Sequence, residues 1–107
     1  MKGWQITFFT QQAHRHRGKP LADWLVHLAK EMDLHGATLI PAAEGFGHHR
    51  RIHSAHFFEL ADRPLEVVMV VSDEEAQWLL ERLVSEQVKV FYVKTPAEFE
   101  MLGESTG

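Results

Sequence analysis

The spacing of apolar positions changes several times along this chain, and each change marks an element. Trp4, Ile6 and Phe8 alternate with Gln5 and Thr7 until Phe9 breaks the rhythm, which predicts a strand over 4–10 whose second face is not wholly polar. Residues 11–18 form a polar, basic loop, and Pro20 then suits a first helical position, where its missing N–H is not needed. Leu21, Trp24, Leu25, Leu28 and Met32 recur at spacings of three and four with Asp23 in the first turn, so a helix is expected, ended by a left-handed Gly36 after His35.

Residues 37–43 are a short apolar run bounded by glycines, a second strand that Pro41 confines to a sheet edge. Residues 54–60 have some strand character, broken by Ala61, Asp62, Arg63 and Pro64. The run from Leu65 to Val71 is the strongest strand signal, apolar on both faces and rich in valine. Ser72, Asp73, Glu74 and Glu75 then read as a capping box, opening a second helix with a buried stripe of Ala76, Leu79, Leu80, Leu83 and Val84 and with Trp78 outside it. A last strand is expected over 88–93, ended by Thr95 and Pro96, with a short helix over 97–102 and a loose tail.

This order is an α+β, ferredoxin-like βαββαβ arrangement: one antiparallel sheet, two helices on one face, the first and third core strands central. Two helices cover only one face, yet Phe9 and the second face of 65–71 are apolar. A second copy of the chain is the simplest cover, so a closed homo-oligomer is expected. The 107 residues suit one domain, 1–107, and 45% hydrophobic with 24% charged residues is the composition of a soluble globule.

A net charge of -4 argues against a nucleic-acid binder, although eight histidines make that charge sensitive to pH. The absence of cysteine excludes disulfides, thiolate metal sites and a cysteine nucleophile. No signal-peptide core and no run of roughly 18 apolar residues is evident, so a cytoplasmic protein without membrane insertion is expected. Lys2, Arg15, Arg17, Lys19 and Lys30 crowd the early chain, whereas Asp73, Glu74, Glu75, Glu81 and Glu86 lie later, which assigns any anion site to the early loops.

The most chemistry-rich stretch is Glu44-Gly45-Phe46-Gly47-His48-His49-Arg50-Arg51-Ile52-His53. Glycines on either side of one aromatic let the backbone approach a ligand closely, and arginine recognises phosphate or carboxylate in bidentate fashion. Gly45, Phe46, Gly47, Arg50 and Arg51, joined by His16, Arg17 and Lys19 of the first loop, are therefore the ligand-binding candidates; a merely solvated basic loop is the competing reading. His48, His49, His53 and His56, with His14 and His16 nearby, are candidate metal ligands for Zn, Ni or Cu. Their spacing matches no zinc-finger pattern, and no carboxylate lies between Gly45 and Phe58 to complete a mixed site. Ser54 beside His53 and His56 is the nearest approach to a nucleophile and base, without a carboxylate to orient either ring, so no enzyme is expected.

The runs His16-Arg17-Gly18-Lys19-Pro20-Leu21, Gly36-Ala37-Thr38, Glu44-Gly45-Phe46-Gly47 and Ile52-His53-Ser54-Ala55 together resemble a bacterial and archaeal family of PII-like proteins, the domain of unknown function 190 type. The resemblance spans about residues 6–92. It implies a homotrimer with sheets facing inward and ligand clefts between subunits, acting on a target protein such as a membrane transporter or an enzyme. More distantly the chain is similar to nitrogen-regulatory PII proteins, whose mobile T-loop corresponds here to 44–64, leaving 95–107 as a C-terminal extension. In those proteins the loop base and a glycine-rich loop after the second helix hold ATP or ADP. Here residues 84–89 contain no glycine, so a nucleotide fits the resemblance while ATP binding of the standard PII type lacks its phosphate nest, and the ligand stays open. The lone tyrosine, Tyr92, lies in an expected strand, so the loop has no acceptor for uridylylation. The reading is a small-ligand sensor that signals through loop order, with a histidine-based metal-binding trimer as the alternative.

Overall fold

The computed structural model describes residues 1–42, 44–46, 52–54 and 63–103. Along the chain run β1 (Lys2–Gln11), a small hairpin of β2 (Arg15–His16) and β3 (Lys19–Pro20), α1 (Leu21–Glu31), β4 (Thr38–Pro41), β5 (Glu44–Phe46), β6 (Ile52–Ser54), β7 (Pro64–Ser72), α2 (Asp73–Ser85) and β8 (Phe91–Glu98). The main sheet has the order β4-β7-β1-β8, all antiparallel, with β1 and β7 central and β4 at an edge where Pro41 is tolerated. This is the expected ferredoxin-like topology.

Alternation along β1 and β7 divides the sheet into two faces. Ile6, Phe8, Leu65, Val67, Met69 and Val71 are buried, and they share one core with Leu21, Ala22, Leu25, Leu28 and Ala29 of α1 and Ala76, Leu79 and Leu83 of α2. Trp24, Met32 and Leu80 pack on this core while partly buried. Register places Ile40, Glu66, Phe9 and Phe91 in one row on the opposite face, and Thr38, Val68, Thr7 and Val93 in the next. Phe9, Phe91 and Val93 remain 39%, 62% and 42% exposed, and the Phe9 and Phe91 rings lie 5.8 Å apart. The open apolar face inferred from the sequence is present in the folded protomer.

The helix ends explain where the sequence reading went wrong. Pro20 is the N-cap of α1, with ψ 129°, rather than its first residue, because it still pairs with Arg15 in the hairpin. The helix stops at Glu31, well before Gly36: Asp33 takes the left-handed conformation (φ 57°), Leu34 N–H donates to the Ala29 carbonyl and Asp33 N–H to that of Lys30. Asp tolerates that conformation better than most residues, so the stop needed no glycine. The capping box forms as read, Ser72 N–H donating to Glu75 Oε1 (2.8 Å) and Glu75 N–H to Ser72 Oγ (3.1 Å). Val84 is not part of the buried stripe; it is 77% exposed, and Trp78 is exposed as expected.

Thr95 and Pro96 do not end the last strand, and 97–102 is not a helix. β8 pairs with β1 from Phe91↔Phe9 to Glu98↔Lys2, passing through Trp4↔Pro96. Because β8 lies at the sheet edge, a residue without an N–H is accommodated there. Gly3 has a role that the pattern of apolar residues did not expose: a Cβ at this position would collide with the Val71 carbonyl oxygen, so only glycine permits β1 to approach β7 this closely.

Candidate functional site

Three segments meet beside the N-terminus of α1: the β2–β3 hairpin, the start of the helix and the turn after α2. Gln87 (φ 59°) makes that turn in the left-handed conformation, with Val88 N–H donating to the Leu83 carbonyl and Gln87 N–H to that of Val84. His14, Arg15, His16, Leu21, Gln87, Val88 and Lys89 then line a cavity of about 200 Å³. Within it, His14 Nδ1 lies 2.9 Å from Thr10 Oγ1, which satisfies the one buried polar side chain of the β1 core face. Arg15 Nη1 donates to the Gly18 carbonyl at 3.2 Å, closing the hairpin.

His16 is half-buried. Its Nε2 is sealed from solvent with no hydrogen-bond partner among the described residues, and its ring stands nearly edge-on to Trp24, 4.6 Å between centroids. Trp24 in turn lines a second, larger hollow of about 540 Å³ between the helices, together with Lys19, His27, Leu28, Lys30, Glu31, Arg82 and Glu86. The two concavities differ in charge. The smaller has only basic, imidazole, amide and apolar linings, whereas the larger mixes Lys and Arg with Glu31 and Glu86, and Arg82 Nη2 already meets Glu31 Oε1 at 3.3 Å.

The first-loop candidates are therefore separated. His16 lines the smaller cavity, Lys19 the larger, and Arg17 (φ 53°) reaches Glu86 Oε2 at 3.8 Å, an exposed pair worth under about 1 kcal/mol. The acid of the later chain thus meets the early basic loop, contrary to the separation suggested by their distance in sequence. Gly45 and Phe46 lie in β5, which pairs with β6 as Glu44↔Ser54, Gly45↔His53 and Phe46↔Ile52. The loop read as beginning in a glycine hinge has a two-stranded stem at its base, and Ser54 and His53 belong to that ladder.

Gly47, Arg50 and Arg51, the metal candidates His48, His49 and His56, and most of the expected strand over 54–60 lie outside the described residues. Among the described residues no group of three or more His, Asp or Glu could hold a metal ion, and no helix is long and apolar enough to cross a membrane. Sequence reading passed over Gln87 and Lys89. The missing glycine after α2 drew attention to what the turn lacks, while the side chains that it presents instead are what line the cavity.

Known proteins share this architecture. CPII of Thiomonas intermedia K12, a nitrogen regulatory PII-like protein solved bound to ADP, AMP and bicarbonate, superposes with a TM-score of 0.64 at 17% identity, covering 91% of this chain and 87% of CPII. A Thermus thermophilus protein described as a putative PII-like signaling protein gives a TM-score of 0.61 at 20% identity over 90% of this chain and 85% of its own. The sheet, its strand order and its helices are those of the PII-like fold. In sequence, the UPF0166 protein of Aquifex aeolicus (strain VF5) is 33% identical over 70 residues, 65% of this chain and 67% of that protein. The model of the DUF190 family, described as Uncharacterized ACR, matches residues 3–94, and the chain belongs to that family.

Proposed function

We propose that this protein is a PII-like sensor of a small ligand, working as a trimer in which the open sheet faces pack inward and the ligand sits between subunits. The observation that carries the reading is the apolar face of Ile40, Phe9, Phe91 and Val93 left uncovered on a PII-like protomer. Structural neighbours solved with ADP and bicarbonate support an anionic ligand. Gly45, Phe46, Gly47, Arg50 and Arg51, with His16, Arg17 and Lys19, are the residues proposed to meet it, and 44–64 is the loop whose order the ligand changes. A ligand that binds one loop conformation better shifts its population and thereby exposes or hides a surface for a target protein. No reaction is assigned to the site, and the cytoplasm is its proposed compartment.

The α2–β8 turn shapes the ligand choice. Gln87 stands in the left-handed position where a glycine-rich nest would need glycine, so ADP or AMP is expected to bind better than ATP, whose third phosphate relies most on such a nest. Thermal unfolding with ADP, AMP, ATP and bicarbonate tests this: a ligand at a hundred times its dissociation constant adds about 2.7 kcal/mol. A shift with ADP or AMP that Arg50→Ala and Arg51→Ala abolish is expected, and no shift with any nucleotide or bicarbonate would overturn the sensor reading.

A further inference from the structure

We infer that the outward face of α2, centred on Trp78, is a docking surface for a basic helical segment of a partner protein. The buried positions of this helix are Ala76, Leu79 and Leu83, and Trp78 falls outside them with 51% of its surface exposed. Folding therefore leaves much of a large indole in water, and tryptophan is among the side chains that contribute most when a protein surface is covered by a partner.

The charges around it select the partner. Of the acids on α2 and its C-cap, three are engaged within the protomer: Asp73 Oδ1 accepts from Trp4 Nε1 at 2.8 Å, Glu75 closes the capping box, and Glu86 meets Arg17. Glu74 and Glu81 are different. Neither forms an ion pair among the described residues, and Glu81 Oε1 accepts from the neutral Gln77 amide at 3.3 Å, which leaves its charge uncompensated. Arg82, the one cation of α2, turns to Glu31 of α1 instead. Glu74 lies four residues before Trp78 and Glu81 three after it, so all three share one helix face, with the carboxylates about 10 Å apart along the axis.

This face presents acid, indole and acid in a line. A partner helix with cations at i, i+4 and i+7 matches the line: the outer two meet Glu74 and Glu81, and the middle one lies over the Trp78 ring as a cation–π contact. A net charge of -4 adds long-range attraction for a basic segment and repels nucleic acid and anionic membranes. Because α2 packs on the core side of the sheet, opposite the Phe9 row, its outward face stays accessible when the open sheet face is covered. The surface goes beyond the proposed ligand cleft, since it gives the chemistry of the target and requires neither a bound ligand nor the trimer.

Fluorescence anisotropy of the full chain with a labelled, alanine-rich helical peptide carrying arginines at i, i+4 and i+7 tests the assignment. The control peptide has the same composition with its arginines spread around the helix. Saturable binding of the striped peptide is expected, with the control and the Trp78→Ala variant each weaker by about tenfold. Glu74→Gln with Glu81→Gln should weaken binding and flatten its dependence on salt, whereas Glu98→Gln, an exposed acid on β8, should change neither. Melting temperatures of these variants should move little because the side chains are exposed. Equal affinity for the two peptides, or affinity unchanged by Trp78→Ala, would overturn the inference. So would a lower sedimentation mass of the peptide-free Trp78→Ala variant, which would assign this face to contacts between copies of the chain.

Discussion

Phe8 and Phe9 are neighbours on one strand and live in different environments. Phe8 is fully buried beneath the helices, while Phe9 is 39% exposed on the other face beside Phe91. The strand period of two puts them on opposite sides, and the helices fill only one. The comparison teaches that a single hydrophobic strand can face two environments: Phe8, with Ile6, holds the protomer together, and Phe9, with Phe91 and Val93, stays exposed on the face proposed for assembly.

The sharpest way to break that comparison is to truncate both residues in turn. Phe8→Ala should destabilise the protomer by about 3–5 kcal/mol in denaturant unfolding, since it removes a buried ring and leaves a cavity. Gly3→Ala comes next, at about 1–3 kcal/mol, because the added methyl forces β1 away from β7, the pair on which both faces depend. Ser72→Ala should cost about 1 kcal/mol by removing the cap that starts α2 at the end of β7, read as a lower melting temperature. Phe9→Ala should change the unfolding of the dissociated chain by less than about 1 kcal/mol, the smallest effect, while reducing the extra stability that the wild-type chain gains as protein concentration rises. Equal losses from Phe8→Ala and Phe9→Ala at low concentration would erase the distinction between the faces.

Much of this architecture was legible in the sequence because its signals are local. The capping box depends on residues three apart, the edge position of β4 on one proline, and the two-faced β7 on a run of valines. The misreadings came where a long-range partner overrules a local rule. Pro96 reads as a strand end until β8 is known to lie at the sheet edge, and Gly36 reads as the stop of α1 until Asp33 is seen to close the helix three residues earlier. Gly3 gives no local sign that the Val71 carbonyl will face it.

The candidate site was less legible. Arg17 and Glu86 are far apart in sequence and meet in the fold, His16 and Lys19 turn to separate hollows, and Lys89 joins His16 only through the packing of α2 against the sheet. Periodicity reports which residues are buried, not which loops converge. The histidine- and arginine-rich stretch after Gly45 was the loudest chemical signal, and its backbone stem of β5 and β6 adds a ladder that glycine-based reasoning did not anticipate.

The central claim is that the open face is an interface, and the mass of the protein in solution tests it most directly. Sedimentation equilibrium of the wild-type chain should give three times the 12.3 kDa protomer mass, and Phe91→Asp, which places a charge in the Phe9 row, should return it to the protomer mass with its fold retained by circular dichroism. A wild-type chain that sediments as a monomer at tens of micromolar, or a Phe91→Asp variant that stays trimeric, would contradict the account.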